Sequence, residues 1–239
     1  MTQIVEFLQL HPEVLKAMGV FLLLSALSAL VYLVPKFVFS RPLPLRLEYL
    51  FSSLMAPFFP LMELMRPPWW RRKWLERSGV REGLVVLEEG FGFGTSPLIA
   101  ARMVGPKGKV YALDVMPINV ATLWLRARLR RLRNLDIILA DAKYTELQEK
   151  SVDVVFIADA FHEFPDKQGT LRELYRVLRE DGVLSILAET AKKAKNFVRL
   201  VNEIGLFSLV EQDGKFCKFR KIESRAWTMA QIGRDRGES

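Results

Sequence analysis

The stretch Glu88-Glu89-Gly90-Phe91-Gly92-Phe93-Gly94-Thr95-Ser96 follows the apolar run LVVL and precedes PLIAARMV. Glycines at alternate positions permit a tight turn and the approach of a ligand to bare backbone. Two ligand classes compete for such a loop. Dinucleotide binders use G-x-G-x-x-G and set a pyrophosphate on the following helix N-terminus. Here the pattern is G-x-G-x-G, and Thr95 stands where the dinucleotide pattern wants glycine.

The acid at Glu88 sharpens the choice. A carboxylate beside the loop repels a pyrophosphate and attracts a cation. S-adenosyl-L-methionine carries a sulfonium and an ammonium, so the loop chemistry favours that cofactor. The other chemical candidates are few. The chain has one cysteine, Cys217, and two histidines, His11 and His162, which excludes an internal disulfide and argues against a metal site.

The loop must be positioned by regular elements. From Gly83 onward short apolar runs alternate with amphipathic ones. The spacing predicts strands near 84–88, 108–114, 135–140, 152–158, 183–188, 206–211 and 215–221. It predicts helices near 96–104, 117–131, 167–179 and 192–204. Such alternation implies an α/β, Rossmann-like, seven-stranded and mostly parallel sheet covered on both faces. The tight QDG turn before the last strand makes that strand antiparallel. In these sheets ligands bind beyond the carboxyl ends of the strands, which is where the glycine loop falls.

Over roughly residues 80–222 the chain resembles the class I S-adenosylmethionine-dependent methyltransferases. VVLEEGFGFG is similar to the family's first motif, acid-x-Gly-x-Gly-x-Gly, with Glu88, Gly90, Gly92 and Gly94 at the matching positions. KVYALDVMP resembles the second. The resemblance implies that Asp114 binds the cofactor's ribose hydroxyls, with Val115 beside it. ILADA resembles the third, implying that Asp141 faces the adenine amino group and Ala142 lines the ring. The chain departs from the family at Phe91 and Phe93, read here as packing residues, and at Glu89, where an apolar residue is usual. Apart from the resemblance, Asp114 also reads as a helix N-cap before Pro117, and Asp141 as a turn residue.

The acceptor is addressed by SVDVVFIADAFHEFPD, at the fourth strand and its loop. Amino methyltransferases of nucleic acids carry an acid-or-Asn-Pro-Pro-aromatic motif there to grip a flipped base. This chain has Asp159-Ala160-Phe161-His162, so no nucleic acid is expected as partner. DAFHEFPD and LRELYRVLREDG resemble the branch of ubiquinone and menaquinone C-methyltransferases and lipid methyltransferases. Asp159 is a further cofactor candidate. His162 is the catalytic candidate: histidine titrates in the range of a general base, and the alternative is that it only shapes the loop.

The formal charge of +8 and a pI near 9.7 call for an anionic partner. Residues 17–34 contain no charge and nearly span a hydrocarbon core of about 30 Å; a buried core helix is the alternative. The basic flank on the C-terminal side places the main domain in the cytoplasm. Trp69, Trp70 and Trp74 interleave with Arg66, Arg71, Arg72 and Lys73, as in a headgroup layer. The expected organisation is a transmembrane anchor (1–40), an interfacial amphipathic helical segment (41–79), a methyltransferase domain (80–224) and a C-terminal tail (225–239). The expected partners are the lipid bilayer and a lipid-like small-molecule acceptor, a prenylated quinone or phospholipid headgroup. The expected localisation is single-pass membrane. Two alternatives stay open: a membrane-tethered protein methyltransferase, and a non-catalytic membrane scaffold that keeps the nucleotide-binding fold.

Overall fold

The structure is a computed structural model that describes residues 68–222 together with positions 13, 19 and 23. It divides into two compact units, Met1–Leu61 and Met62–Ser239. The first is described only at Glu13, Gly19 and Leu23, each helical and exposed. Apart from Gly19 and Leu23, the expected span at 17–34 lies outside the described residues, as do 41–67 and the tail from 223 onward.

The single-pass membrane localisation is corrected. Among the described residues no helix is long and apolar enough to cross a membrane. The longest, Ala191–Ile204, has 14 residues, about 21 Å at 1.5 Å per residue, against a hydrocarbon core of about 30 Å. The anchor and the bilayer partner gain no support from the described residues.

The second unit carries the sheet. In chain order its elements are α1 (Pro68–Ser78), β1 (Val85–Glu89), α2 (Thr95–Val104), β2 (Lys109–Asp114), α3 (Pro117–Leu129), β3 (Leu135–Leu139) and β4 (Val152–Ala158). A 3-10 turn (Phe161–Glu163) follows, then α4 (Lys167–Val177), β5 (Leu178–Leu187), α5 (Ala191–Ile204), β6 (Phe207–Asp213) and β7 (Phe216–Lys221). The strand order is β3-β2-β1-β4-β5-β7-β6. The pairs from β3 through β5 are parallel, and β7 runs antiparallel to both β5 and β6. The order reverses at β1 and β4, and there the carboxyl ends open a crevice.

The seven strands and four of the five helices fall where the apolar pattern places them. Strand alternation explains the two cores. Val86, Val154 and Phe156 join the cluster beneath α1, α2 and α3, while Leu87, Val155 and Ile157 join the cluster beneath α4 and α5. One difference is that β5 starts earlier than 183. Leu178 pairs with Val152 and Val183 with Val154, leaving Arg179–Gly182 out of register. The N-cap of α4 is Asp166, whose side chain accepts from Gly169 N at 2.8 Å.

Helix α1 is the described part of the tryptophan-arginine segment, and it packs on the unit's own sheet. Trp70, Trp74 and Ser78 lie four residues apart on one helix face. Trp74 stacks on Phe216 of β7 with centroids 5.3 Å apart, and Leu75 is fully buried. Arg77 reaches Glu211 at 2.7 Å and Asp213 at 2.8 Å on β6. Trp69 remains exposed.

Candidate active site

The loop from Gly90 to Gly94 leaves β1 and enters α2 with positive φ at each glycine: 66°, 52° and 70° at Gly90, Gly92 and Gly94. Each serves a different need. A Cβ on Gly90 would lie 2.5 Å from the Cβ of Ala160, and one on Gly94 would lie 2.7 Å from Leu123 Cδ1. A Cβ on Gly92 would meet nothing within 4 Å, so that backbone faces open space where a ligand can approach. Phe91 is buried in the core beneath α1–α3. Arg126, buried on α3, donates to the Phe93 carbonyl and ties the loop to that helix.

Asp114 ends β2 and is 5% exposed. Its Oδ2 accepts from Gly92 N at 2.9 Å, and its Oδ1 accepts from Met116 N at 2.8 Å and Asn119 Nδ2 at 3.2 Å. Burial raises its pKa; the Met116, Gly92 and Asn119 donors oppose the rise, and the charge of Glu163 adds to it. The carboxylate therefore braces the glycine loop, and it is not the N-cap of α3, which is Met116. Val115, next to it, is half exposed. Asp141 closes the turn after β3, accepting from Lys143 N at 3.1 Å through its side chain and from Tyr144 N at 2.8 Å through its carbonyl. Ala142 is buried beside it.

Glu88 and Glu89 are neighbours on β1, and their side chains point to opposite faces of the sheet. Glu88 is 2% exposed, and its Oε2 has no hydrogen-bond partner. Burial pushes its carboxyl up to about 8, Asp114 adds to the push, and Arg71 and Ser96 pull it back. Asp159, just past β4, holds a left-handed φ of 57°. Its Oδ1 is buried without a hydrogen-bond partner, and its Oδ2 lies 3.7 Å from Arg71 Nη2. The buried Glu88 and the partly exposed Asp159, each with an acceptor atom lacking a hydrogen-bond partner, stand near one arginine and suit a cationic group. Glu89 is fully buried, and neither of its oxygens has a partner. Burial, then the charges of Glu173 and Asp141, drive its pKa well above the ordinary glutamate range.

His162 sits on the 3-10 turn after β4, partly exposed. Its Nε2 lies 3.3 Å from Glu189 Oε1 and 3.6 Å from Glu163 Oε1, and Glu189 pairs in turn with Lys193. Aromatic rings back the turn: Phe161 meets Phe164 at 5.6 Å and Phe197 at 4.4 Å, both edge-on. A cavity of about 40 Å³ opens here, lined by Phe161, His162, Ile186, Ala188, Glu189 and Phe197 among others. A wider, open depression of about 480 Å³ along α5 and β6 includes none of the candidate residues.

All ten residues singled out from the sequence thus fall at the carboxyl end of the sheet. Gly92 bonds Asp114, Gly90 abuts Ala160, and Ala140 N donates to Asp114 O at 3.2 Å. Sequence reasoning missed Arg71, which it read only as a headgroup cation, and Ser96, Asn119 and Glu189. Arg71 and Glu189 lie far from the glycine loop in the chain and have no motif of their own. A hint for Asn119 was its place one turn beyond the strand-ending Asp114.

A family profile described as a methyltransferase domain matches residues 87–186. The ubiquinone/menaquinone biosynthesis C-methyltransferase of Hahella chejuensis is 31% identical over 184 residues, covering 71% of this chain and 72% of that protein. The chain belongs to the S-adenosylmethionine-dependent methyltransferase family. A demethylmenaquinone methyltransferase of Lactobacillus johnsonii is 32% identical over 135 residues, covering 55% of this chain and 54% of that protein. A crystal structure of a SAM-dependent methyltransferase from Aquifex aeolicus matches with a TM-score of 0.58 at 26% identity, over 63% of this chain and 88% of that one. The methyltransferase is thus an enzyme with S-adenosyl-L-methionine as its cofactor. The residues present fit it: orphaned carboxylate oxygens at Glu88 and Asp159 suit its ammonium, and open backbone at Gly92 suits its close approach.

Proposed function

We propose that this methyltransferase methylates a ring carbon of a reduced, quinone-like, lipid-like small molecule, with His162 as general base. Glu88 and Asp159 hold the ammonium of the cofactor, and the Gly90–Gly94 backbone carries its methionyl part. Asp114 accepts from the ribose hydroxyls, Val115 packs on the adenine ring, and Asp141 and Ala142 meet its edge. The observation that carries the acceptor class is the His162 turn. An imidazole backed by Phe161, Phe164 and Phe197 stands at the same sheet end as the glycine loop, which suits a flat hydroxylated ring. The relatives, a ubiquinone/menaquinone biosynthesis C-methyltransferase and a demethylmenaquinone methyltransferase, support the same class.

When bound, the cofactor supplies an electrophilic methyl group on a sulfonium. The acceptor gains a methyl and loses one proton, so the protein must receive that proton. His162 takes it from the ring hydroxyl, concentrating charge on the ring carbon that forms the new bond; the hydrogen on that carbon then leaves as a proton while the ring oxygen regains one, so the aromatic ring is restored with one proton released overall. Aromatic walls exclude water and orient the ring for in-line attack. The test is incubation of the full chain with methyl-labelled cofactor and a 2-prenyl-1,4-naphthohydroquinone. Label on the ring carbon is expected. Absence of label from this acceptor, with the cofactor bound, would overturn the acceptor assignment.

A further inference from the structure

We infer, resting on the placement of the ribose at Asp114, that this carboxylate reads one ribose hydroxyl through Oδ2, and that Asn119 closes Oδ1 to the ligand. A carboxylate has two oxygens and about four lone-pair positions in all. Three of them are occupied within the protein. Oδ1 accepts from Met116 N at 2.8 Å and from Asn119 Nδ2 at 3.2 Å, while Oδ2 accepts from Gly92 N at 2.9 Å. Oδ1 is therefore saturated, and the position left open is on Oδ2. Gripping both hydroxyls of a ribose takes two open positions, so Asp114 takes one of them.

The three donors are fixed by different elements. Met116 N closes an Asx-turn two residues beyond Asp114, at the residue that caps α3. Gly92 N is held by the loop, whose Gly90 N donates in turn to Leu113 O at 2.8 Å. Asn119 stands on the first turn of α3, is 8% exposed, and donates its own backbone N–H to Met116 O at 3.0 Å. Both side chains are buried, and close packing restricts their rotation.

The residue type at 119 matters. An amide turns its NH2 toward a carboxylate and its carbonyl away, because two oxygens would repel. Aspartate there would set two carboxylates together, and an apolar residue would leave Oδ1 with a position open to the ligand. Asn119 is thus a positioning residue, acting on the cofactor through Asp114. Burial raises the Asp114 pKa, and the Asn119 donor, together with Met116 N and Gly92 N, opposes that rise. The same hydrogen bond therefore keeps the carboxylate both oriented and ionised. The second ribose hydroxyl finds its partner elsewhere or faces water.

The test is calorimetric titration of S-adenosylhomocysteine and its 2′-deoxy and 3′-deoxy forms into the full chain, wild type beside Asp114→Ala and Asn119→Ala. One deoxy form is expected to bind wild type about 10-fold more weakly than the parent, and Asp114→Ala is expected to erase that difference. The loss from the other missing hydroxyl should be the same in both proteins to within about 2-fold. Asp114→Asn repeats the comparison with the side-chain volume kept, should alanine disturb the loop. Asn119→Ala opens Oδ1 and frees the carboxylate to turn, so the two deoxy forms should differ less than in wild type. A merely structural asparagine would weaken all three ligands alike and leave their differences intact, which would overturn its role. If Asp114→Ala erases the losses from both hydroxyls, the single-hydroxyl assignment is overturned while the ribose placement stands. If it leaves both differences as they are in wild type, the ribose placement itself fails.

Discussion

The two halves of the crevice are built by different means. After β1 and β2, geometry is set by backbone: positive φ at Gly90, Gly92 and Gly94, and a Gly92 N–H bonded to Asp114. After β4 and β5, it is set by side chains that are partly exposed, with His162 facing Glu163 and Glu189 across 3.6 Å and 3.3 Å. The first half cannot be adjusted in small steps, because a single Cβ at Gly90 or Gly94 meets packed atoms. The second can be retuned one charge at a time. An invariant cofactor suits the first kind of construction, and a particular acceptor suits the second.

This contrast predicts a graded series. The largest effect belongs to Gly90→Val. A branched side chain at φ 66° with a Cβ 2.5 Å from Ala160 costs about 3 kcal/mol or more in strain and overlap, and calorimetry should show cofactor binding abolished. His162→Ala follows, with kcat reduced about 100-fold and cofactor affinity unchanged, as read by turnover and calorimetry on the same preparation. Glu89→Leu runs the other way. Its carboxyl is buried without partners, so an apolar replacement is expected to stabilise by about 1–3 kcal/mol near neutral pH, measured by denaturant unfolding.

The pH slope of stability tests the same residue. Because folding raises the Glu89 pKa, its contribution is intact below the ordinary glutamate range and is lost as pH rises toward the raised value. Glu89→Leu should flatten that decline. The smallest effect concerns Glu88, whose carboxyl sits at about 8 in the free protein. A cationic ligand favours its ionised form, so cofactor affinity should rise between pH 6 and 7 by up to about 10-fold. Proton release should appear as buffer-dependent heat. Affinity constant across that interval would separate Glu88 from the ammonium.

Local signals carried the backbone-built half. The apolar period of two marked the strands, glycines marked the loop, and acids at strand ends marked Asp114 and Asp141, since each property is written within a few residues. The side-chain-built half was legible only at His162, because its partner Glu189 comes from another strand end. Arg71 shows the same limit from the other direction. Its composition context of tryptophans and arginines suits a headgroup layer, yet in the fold its guanidinium lies 3.7 Å from Asp159. Hydrophobic period alone does not distinguish a helix packed on a sheet from one lying on lipid. Glu89 was visible as an oddity, and burial between Glu173 and Asp141 gives it a measurable consequence.

The most direct test of the site is calorimetric titration of S-adenosyl-L-methionine into the full chain, wild type beside Asp114→Ala. The account predicts saturable binding by wild type and a loss of at least about 10-fold in the variant, about 1.4 kcal/mol for a charged hydrogen-bond partner removed. Equal affinity in the two proteins would contradict the placement of the cofactor at the end of β2.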